Sequence, residues 1–149
     1  MAAVGASILA SVAVESGLLM VERSDVPVMF RRCADEQAAI TRAWAGLEEA
    51  VGSLCGRKFY GVFDPVSREY RACVELREGD DPRRLGLDVG ALLGGRYARV
   101  RLTGEPPAVY ALIAPTMKRL AQRPDCDPDR PSIEFYRRRE VIDLLQPVV

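Results

Sequence analysis

Glu134 and Tyr136 are the residues on which chemistry could be built. They lie in Arg130-Pro131-Ser132-Ile133-Glu134-Phe135-Tyr136-Arg137, a short alternating stretch. With a period of two, Ser132, Glu134 and Tyr136 share one strand face, and Ile133 and Phe135 share the other. A carboxylate beside a phenol on a half-buried face can hold a cation against aromatic rings, or pass a proton to or from a bound molecule. The same alternation also fits the solvated side of a sheet, where an acid is ordinary.

Composition prunes the chemistry further. The chain has no histidine. That excludes a Ser-His-Asp or Cys-His pair and any His-ligated metal. The four cysteines, Cys33, Cys55, Cys73 and Cys126, form no CxxC. Their scatter fits small buried thiols in a reducing cytosol better than a zinc knuckle or redox motif. No P-loop or GxGxxG stands at a strand–helix junction, so no nucleotide, metal or other cofactor is expected. With 149 residues, 48% hydrophobic and 28% charged, the chain reads as one soluble domain, or two pseudo-repeated halves on one core. A net charge of zero provides no field to steer it to nucleic acid or membrane. Arg96, Arg99, Arg101 and Arg137 to Arg139 are therefore expected on solvated strand edges. Met1 to Ser16 lacks a basic leader region, since the first Lys or Arg is Arg23, and Glu15 interrupts it. It is also too short and too weakly apolar to span a membrane. Residues 1–17 are expected as a flexible tail or a pairing edge strand, and the protein in the cytoplasm.

The elements that must position Glu134 come in a repeated order. Val26 to Cys33 alternates like a strand. Asp35 is placed as the N-cap or a first-turn acid of a long helix with an apolar stripe of Ile40, Trp44, Leu47, Val51 and Leu54, ending near Cys55 with Gly56 after it. Trp44, the one tryptophan, is expected as an anchor on the buried helical face. Lys58 to Asp64 and Glu69 to Arg77 read as two strands around a turn at Asp64 to Ser67. Gly61 sits mid-strand, the mark of a bulge or a close approach. Gly79 to Asp88 reads as a polar linker, closed by a turn at Gly94-Gly95.

The pattern then recurs. Arg96 to Thr103 is a strand. Glu105-Pro106-Pro107 opens a second helix with Val109, Ile113, Met117 and Leu120 as its stripe, and Pro115 is expected to kink or split it. Ser132 to Arg138 and Val141 to Val148 are two strands joined by a tight turn near Arg139-Glu140. The fold class is α+β: duplicated βαββ halves, about residues 18–78 and 95–149, form an antiparallel sheet backed by two helices. The free face of that sheet is expected to be concave, with a central cleft along the pseudo-twofold.

Taken together, AITRAWAGLEEAVGSL around Trp44, FYGVFDP (Phe59 to Pro65), RYARVRLTGEP (Arg96 to Pro106), PSIEFY and the closing LLQPV resemble a GyrI-like domain. This is the bacterial AraC-type effector-binding domain of SOUL-related fold. The resemblance covers about residues 18–149 and rests on the order and spacing of motifs that are individually weak. The family acid matches Glu134, its tyrosine matches Tyr136, and its terminal I-P-V becomes Gln146-Pro147-Val148. Three features depart from the family pattern. Arg101-Leu102-Thr103-Gly104 stands where a histidine often precedes the glycine, Met117 stands where a tryptophan is common, and the last turn is shortened.

The resemblance implies a cleft for flat, apolar, often cationic molecules, with Glu134 at its floor among aromatic rings. Setting GVFD against EFYR places Gly61 and Phe63 opposite Glu134 and Tyr136 across the pseudo-twofold, and Gly61 would leave room for a ligand beside the acid. Tyr60, Tyr97, Tyr110 and Trp44 are further wall candidates. Such domains often follow a DNA-binding helix-turn-helix. Only about twenty residues precede the first strand here, so a stand-alone version without direct nucleic-acid contact is expected. Three functions stay open: a module that senses or sequesters toxic or drug-like small molecules; a hydrolase of strained-ring, cyclopropane-bearing alkylating compounds, using Glu134 and Tyr136 as catalytic groups; and a gyrase-inhibitor-type protein contact through a surface patch.

Overall fold

The structure is a computed structural model and describes residues 12–149. The part of the expected tail before Val12 lies outside the described residues. The first half consists of β1 (Ala13–Glu15), β2 (Leu19–Arg23), β3 (Val26–Ala34), α1 (Gln37–Val51), β4 (Phe59–Asp64) and β5 (Glu69–Glu75). Between the halves stand α2 (Pro82–Leu85) and β6 (Asp88–Leu92). The second half has β7 (Gly95–Gly104), α3 (Ala108–Ala111), α4 (Ile113–Ala121), β8 (Ser132–Arg138) and β9 (Val141–Pro147).

The duplicated βαββ order is present, and the sheet shows its symmetry. Its strands run β1-β7-β9-β8-β4-β5-β3-β6, with β2 also on β7, and every pairing is antiparallel. From β7 to β3 the order is palindromic: each half contributes its first, third and second strand, and the two second strands, β8 and β4, meet at the centre. Glu134 pairs with Gly61 at that centre.

The sheet cannot be flat. Five strand spacings separate β7 from β3, about 24 Å in an untwisted sheet. Yet Tyr97 of β7 shares one core cluster with Val28 and Phe30 of β3. The device that curls it is a long ribbon. Leu19 to Arg23 pairs with Arg99 to Gly95, and Val26 to Phe30 pairs with Leu92 to Asp88, in one unbroken register. Only Ser24-Asp25 and Leu93-Gly94 interrupt it. Residues 19–30 and 88–99 thus bend from one end of the sheet to the other. The strand β6 was not expected from the sequence. Its Asp-Val-Gly-Ala-Leu has no clean alternation, and it falls partly in the stretch read as a linker.

The face opposite the helices is therefore not free. Tyr60, Val62, Cys73, Ile133, Phe135 and Leu145 fill the inside of the curl, and Tyr60 stacks on Phe135 at 4.6 Å. These rings could not stay solvated on an open sheet, so the chain wraps around them. Arginines close the openings: Arg130 lies over Tyr97, Arg71 over Phe30, and Arg23 and Arg137 over Phe135.

Arg101 and Arg137 are also not simply solvated. Both donate to Asp143, which is 2% exposed. Arg101 forms a two-pronged pair with it at 2.7 and 3.1 Å, and Arg137 reaches it at 3.3 Å. Burial pushes the Asp143 carboxyl up, but the Arg101 guanidinium, helped by Arg137, more than offsets this and leaves it below its ordinary value of 3.8. A lowered folded-state value contributes stability above pH 3.8 that is lost as pH falls through it. Asp143→Asn should lower stability near neutrality by about 1–2 kcal/mol. That is less than a sealed pair would lose, because Arg101 reaches solvent. The same variant should flatten the acid limb of an unfolding-midpoint-versus-pH curve. An unchanged acid limb would show that Asp143 is not the group being protonated.

The helices lie on the other face. The stripe of Ile40, Trp44, Leu47 and Val51 packs on β3 and β5 with Met29, Tyr70, Ala72 and Val74. The helix starts one residue later than expected, with Glu36 rather than Asp35 at its cap and no side-chain bond there. It also ends earlier, at Val51. Gly52 adopts φ 78° and its N–H returns to Glu48, which closes the helix. Leu54 is released from the stripe and stands exposed. Pro115 splits the second helix as expected. It has no N–H for the Ala111 carbonyl, and the chain breaks at Leu112 between α3 and α4. Val109 and Leu120 hold these helices on Val100, Leu102, Ile142 and Leu144.

The four cysteines are unpaired. Cys73 is buried as expected, whereas Cys55 is exposed because it follows the shortened α1. No helix among the described residues is long and apolar enough to cross a membrane.

Candidate functional site

The cleft opens on the helical face, between α1 on one side and α3–α4 on the other, above the central strands β4 and β8. Its volume is about 1090 Å³, at the top of the roughly 300–1,000 Å³ usual for small-molecule sites. The two-helix arrangement explains the gap. Each helix packs on the outer strands of its own half, and neither covers the central pair.

Glu134 sits on the cleft floor. It is surrounded by protein at depth yet borders the open space. The hydroxyls of Tyr70 and Tyr136 both reach its Oε1 at 2.8 Å. The Trp44 indole N–H reaches the Tyr70 oxygen at 3.1 Å. An indole N–H can only donate, so the Tyr70 oxygen accepts from Trp44; an ionised carboxylate can only accept, so with Glu134 ionised the Tyr70 and Tyr136 protons go to it. Both acceptor sites of Oε1 are thereby used. Oε2 has no partner among the described residues and is not sealed from the cleft.

Burial raises the Glu134 carboxyl above its ordinary value of 4.5. The hydrogen bonds from Tyr136 and Tyr70 oppose this without cancelling it, and Asp35 adds to it. Burial, and then the Glu134 carboxylate, push both Tyr70 and Tyr136 well above the ordinary phenol value. Both phenols therefore stay protonated and can donate to the ionised carboxylate.

The walls are aromatic and apolar. Trp44 meets Tyr136 edge-on at 5.4 Å and Phe59 at 6.2 Å. Tyr110 meets Tyr136 at 6.5 Å. Ile40, Phe63, Ile113 and Met117 complete the lining.

The expected site residues divide by face. Glu134, Tyr136, Trp44, Phe63 and Tyr110 line the cleft. Tyr60 and Tyr97 do not. They are 2% and 1% exposed on the other side of the sheet. There burial pushes the Tyr60 hydroxyl up to about 12, and the Tyr97 hydroxyl donates to the Leu93 carbonyl. Gly61 pairs with Glu134, whereas Phe63 pairs with Ser132 and Tyr136 with Phe59, because antiparallel strands count in opposite directions. The space beside Gly61 is not left for a ligand. The Tyr70 hydroxyl and the Glu134 carboxylate occupy it. Tyr70 is the member that sequence reasoning missed. It alternates with Ala72, Val74 and Leu76, so it reads as core. The available signal was a hydroxyl on the hairpin strand next to Gly61; that it faces Glu134 follows only from the β4–β8 pairing.

No protein-family model matches the chain, and no curated protein sequence is similar to it. Solved structures do match. An integron cassette protein from the mobile metagenome of Vibrio cholerae aligns with a TM-score of 0.75 at 16% identity, over 92% of this chain and 99% of that one. SAV2435 bound to tetraphenylphosphonium aligns with a TM-score of 0.62 at 13% identity, over 90% and 94%. A Staphylococcus aureus MU50 protein assigned to bacterial transcription regulation aligns with a TM-score of 0.59 at 13% identity, over 89% and 97%. At these identities the likeness is one of fold alone.

Proposed function

We propose that this protein is a GyrI-like small-molecule-binding module whose cleft holds flat or bulky apolar cations, sensing or sequestering them. The observation that carries the reading is the Glu134 carboxylate on the floor of an aromatic cleft, with Oε1 fully used by Tyr70 and Tyr136 and Oε2 left toward the ligand. Aromatic faces and one desolvated acid favour a delocalised cation twice, by stacking and by charge. A fold neighbour bound to tetraphenylphosphonium supports the same reading. Hydrolysis of a strained ring is less well supported by the geometry. It needs a proton donor at the leaving oxygen; the two phenols beside Glu134 give their protons to Oε1, which leaves Tyr110, farther along the wall, to supply one.

The test is a titration followed by the fluorescence of Trp44, which lies in the cleft wall. Tetraphenylphosphonium should bind saturably and tetraphenylborate, its anionic counterpart of like shape, far more weakly. Mass spectrometry should recover the cation unchanged. Equal affinity for the two ions would remove the role given to Glu134, and no binding of either would remove the cleft as a ligand site.

A further inference from the structure

Charge of both signs lines the cleft: Arg57, Arg137, Arg138 and Arg139, with Asp35 and Glu48. Of the arginines, Arg138 and Arg139 are exposed at its edge and lie on the strand that carries Glu134 or just after it. The other two already have carboxylate partners. Arg57 is clamped by Asp80 at 3.0 and 2.9 Å, and Arg137 turns to Asp143. Arg139 comes only to 3.9 Å of Glu105, and both side chains are largely exposed. Arg138 has no carboxylate partner among the described residues.

The backbone gives Arg138 this position. The β8–β9 register breaks between Tyr136, paired with Ile142, and Arg138, paired with Val141. Such a bulge re-aims the side chains that follow it. Arg138 is four residues along β8 from Glu134, about 13 Å of extended strand before either side chain extends.

We infer that the cleft is built for an amphoteric ligand: an apolar cationic body over Glu134 that carries a carboxylate or similar anionic group toward Arg138 and Arg139 at the mouth. This rests on the cation-binding reading and adds a second point of recognition. A flat apolar cation alone would leave the guanidinium of Arg138 without a partner at the cleft edge, whereas an anionic arm that reaches it gains a charge-assisted hydrogen bond.

Two xanthene dyes make the comparison. Rhodamine 110 carries a free carboxylate; rhodamine 123 is its methyl ester and has the same cationic ring system. Wild type should bind the free acid about threefold to tenfold more tightly than the ester, the range of a partly exposed Arg–carboxylate bond. Raised salt should shrink that margin. Arg138→Gln with Arg139→Gln should abolish it and leave ester affinity unchanged or slightly improved. If the ester binds and loses affinity in Glu134→Gln while the acid gains nothing in wild type, this inference is overturned and the cation reading stands. The same holds if the acid's margin survives in the double arginine variant. If neither dye binds, both are overturned.

Discussion

Glu134→Gln should weaken tetraphenylphosphonium binding by about tenfold to a hundredfold and make the folded protein more stable at neutral pH. The two effects share one cause. A cation centred about 6 Å from a carboxylate, at an effective dielectric of about 20, gains about 3 kcal/mol. Glutamine keeps the shape and the acceptor for Tyr70 and Tyr136 but removes that charge. Tetraphenylborate should improve in the variant, so the cation-to-anion ratio collapses. Any intrinsic difference in hydration between the two ions cancels when the ratio is compared between proteins.

The pH dependence follows from the same group. The Glu134 carboxyl is raised above 4.5 in the folded protein, so the folded state holds a proton that the unfolded chain has already released. Stability from this group is complete below pH 4.5 and falls as pH rises through the raised value. Cation affinity runs the other way and grows as the carboxylate forms. Glu134→Gln should be flat in both respects over that window. A melting midpoint higher by a few degrees near pH 7, with affinity lost, is the signature of a group kept for binding at the expense of folding. If the variant melts lower at neutral pH and binds as well as wild type, Glu134 is a structural acid.

Local patterns made the halves legible. Alternation located β3, β4, β5, β7, β8 and β9, and helical spacing located α1 and the split second helix. The curl was not legible, because it depends on a pairing between residues about seventy apart. Leu19 to Arg23 is a short strand cut from β3 by Ser24-Asp25, and Gly90 hides β6. Neither shows that the two continue one ribbon. That omission is why the sheet's other face was expected to be free.

The site was legible where parity applied. Glu134 and Tyr136 share a face by spacing alone. Parity also separates Tyr60 from the site, since it neighbours Gly61 and so points away from Glu134. Tyr97 goes with Arg99 and Arg101 by the same rule. What parity cannot supply is the donor role of Tyr70. A tyrosine in an apolar stripe is ordinary core until the strand beyond Gly61 is known to be β8.

Gly61→Ala tests that junction most severely. On an exposed strand, alanine for glycine usually stabilises, by about 0.4–1 kcal/mol, because the unfolded chain loses freedom. Here the added methyl would lie well inside contact distance of the Tyr70 hydroxyl and Glu134 Oε1. Glu134 is the direct cross-strand partner of Gly61, and Tyr70 lies diagonal to it through the Gly61–Ala72 pair. Both are fixed, Tyr70 by Trp44 and Glu134 by two phenols. Neither can swing away without leaving a buried polar group unpaired. Overpacking of about 1–3 kcal/mol and the loss of a charge-assisted bond together predict a destabilisation of about 3 kcal/mol. The midpoint should fall by about 6–12 °C, with cation binding lost. Tyr70→Phe in the same chain removes the atom nearest the new methyl. The double variant should therefore be more stable than the sum of the two single losses, by about 1 kcal/mol. Additive losses would mean that Gly61 and Tyr70 act separately. A stabilised Gly61→Ala protein would mean that the Trp44–Tyr70–Glu134 chain does not pass over Gly61 at all.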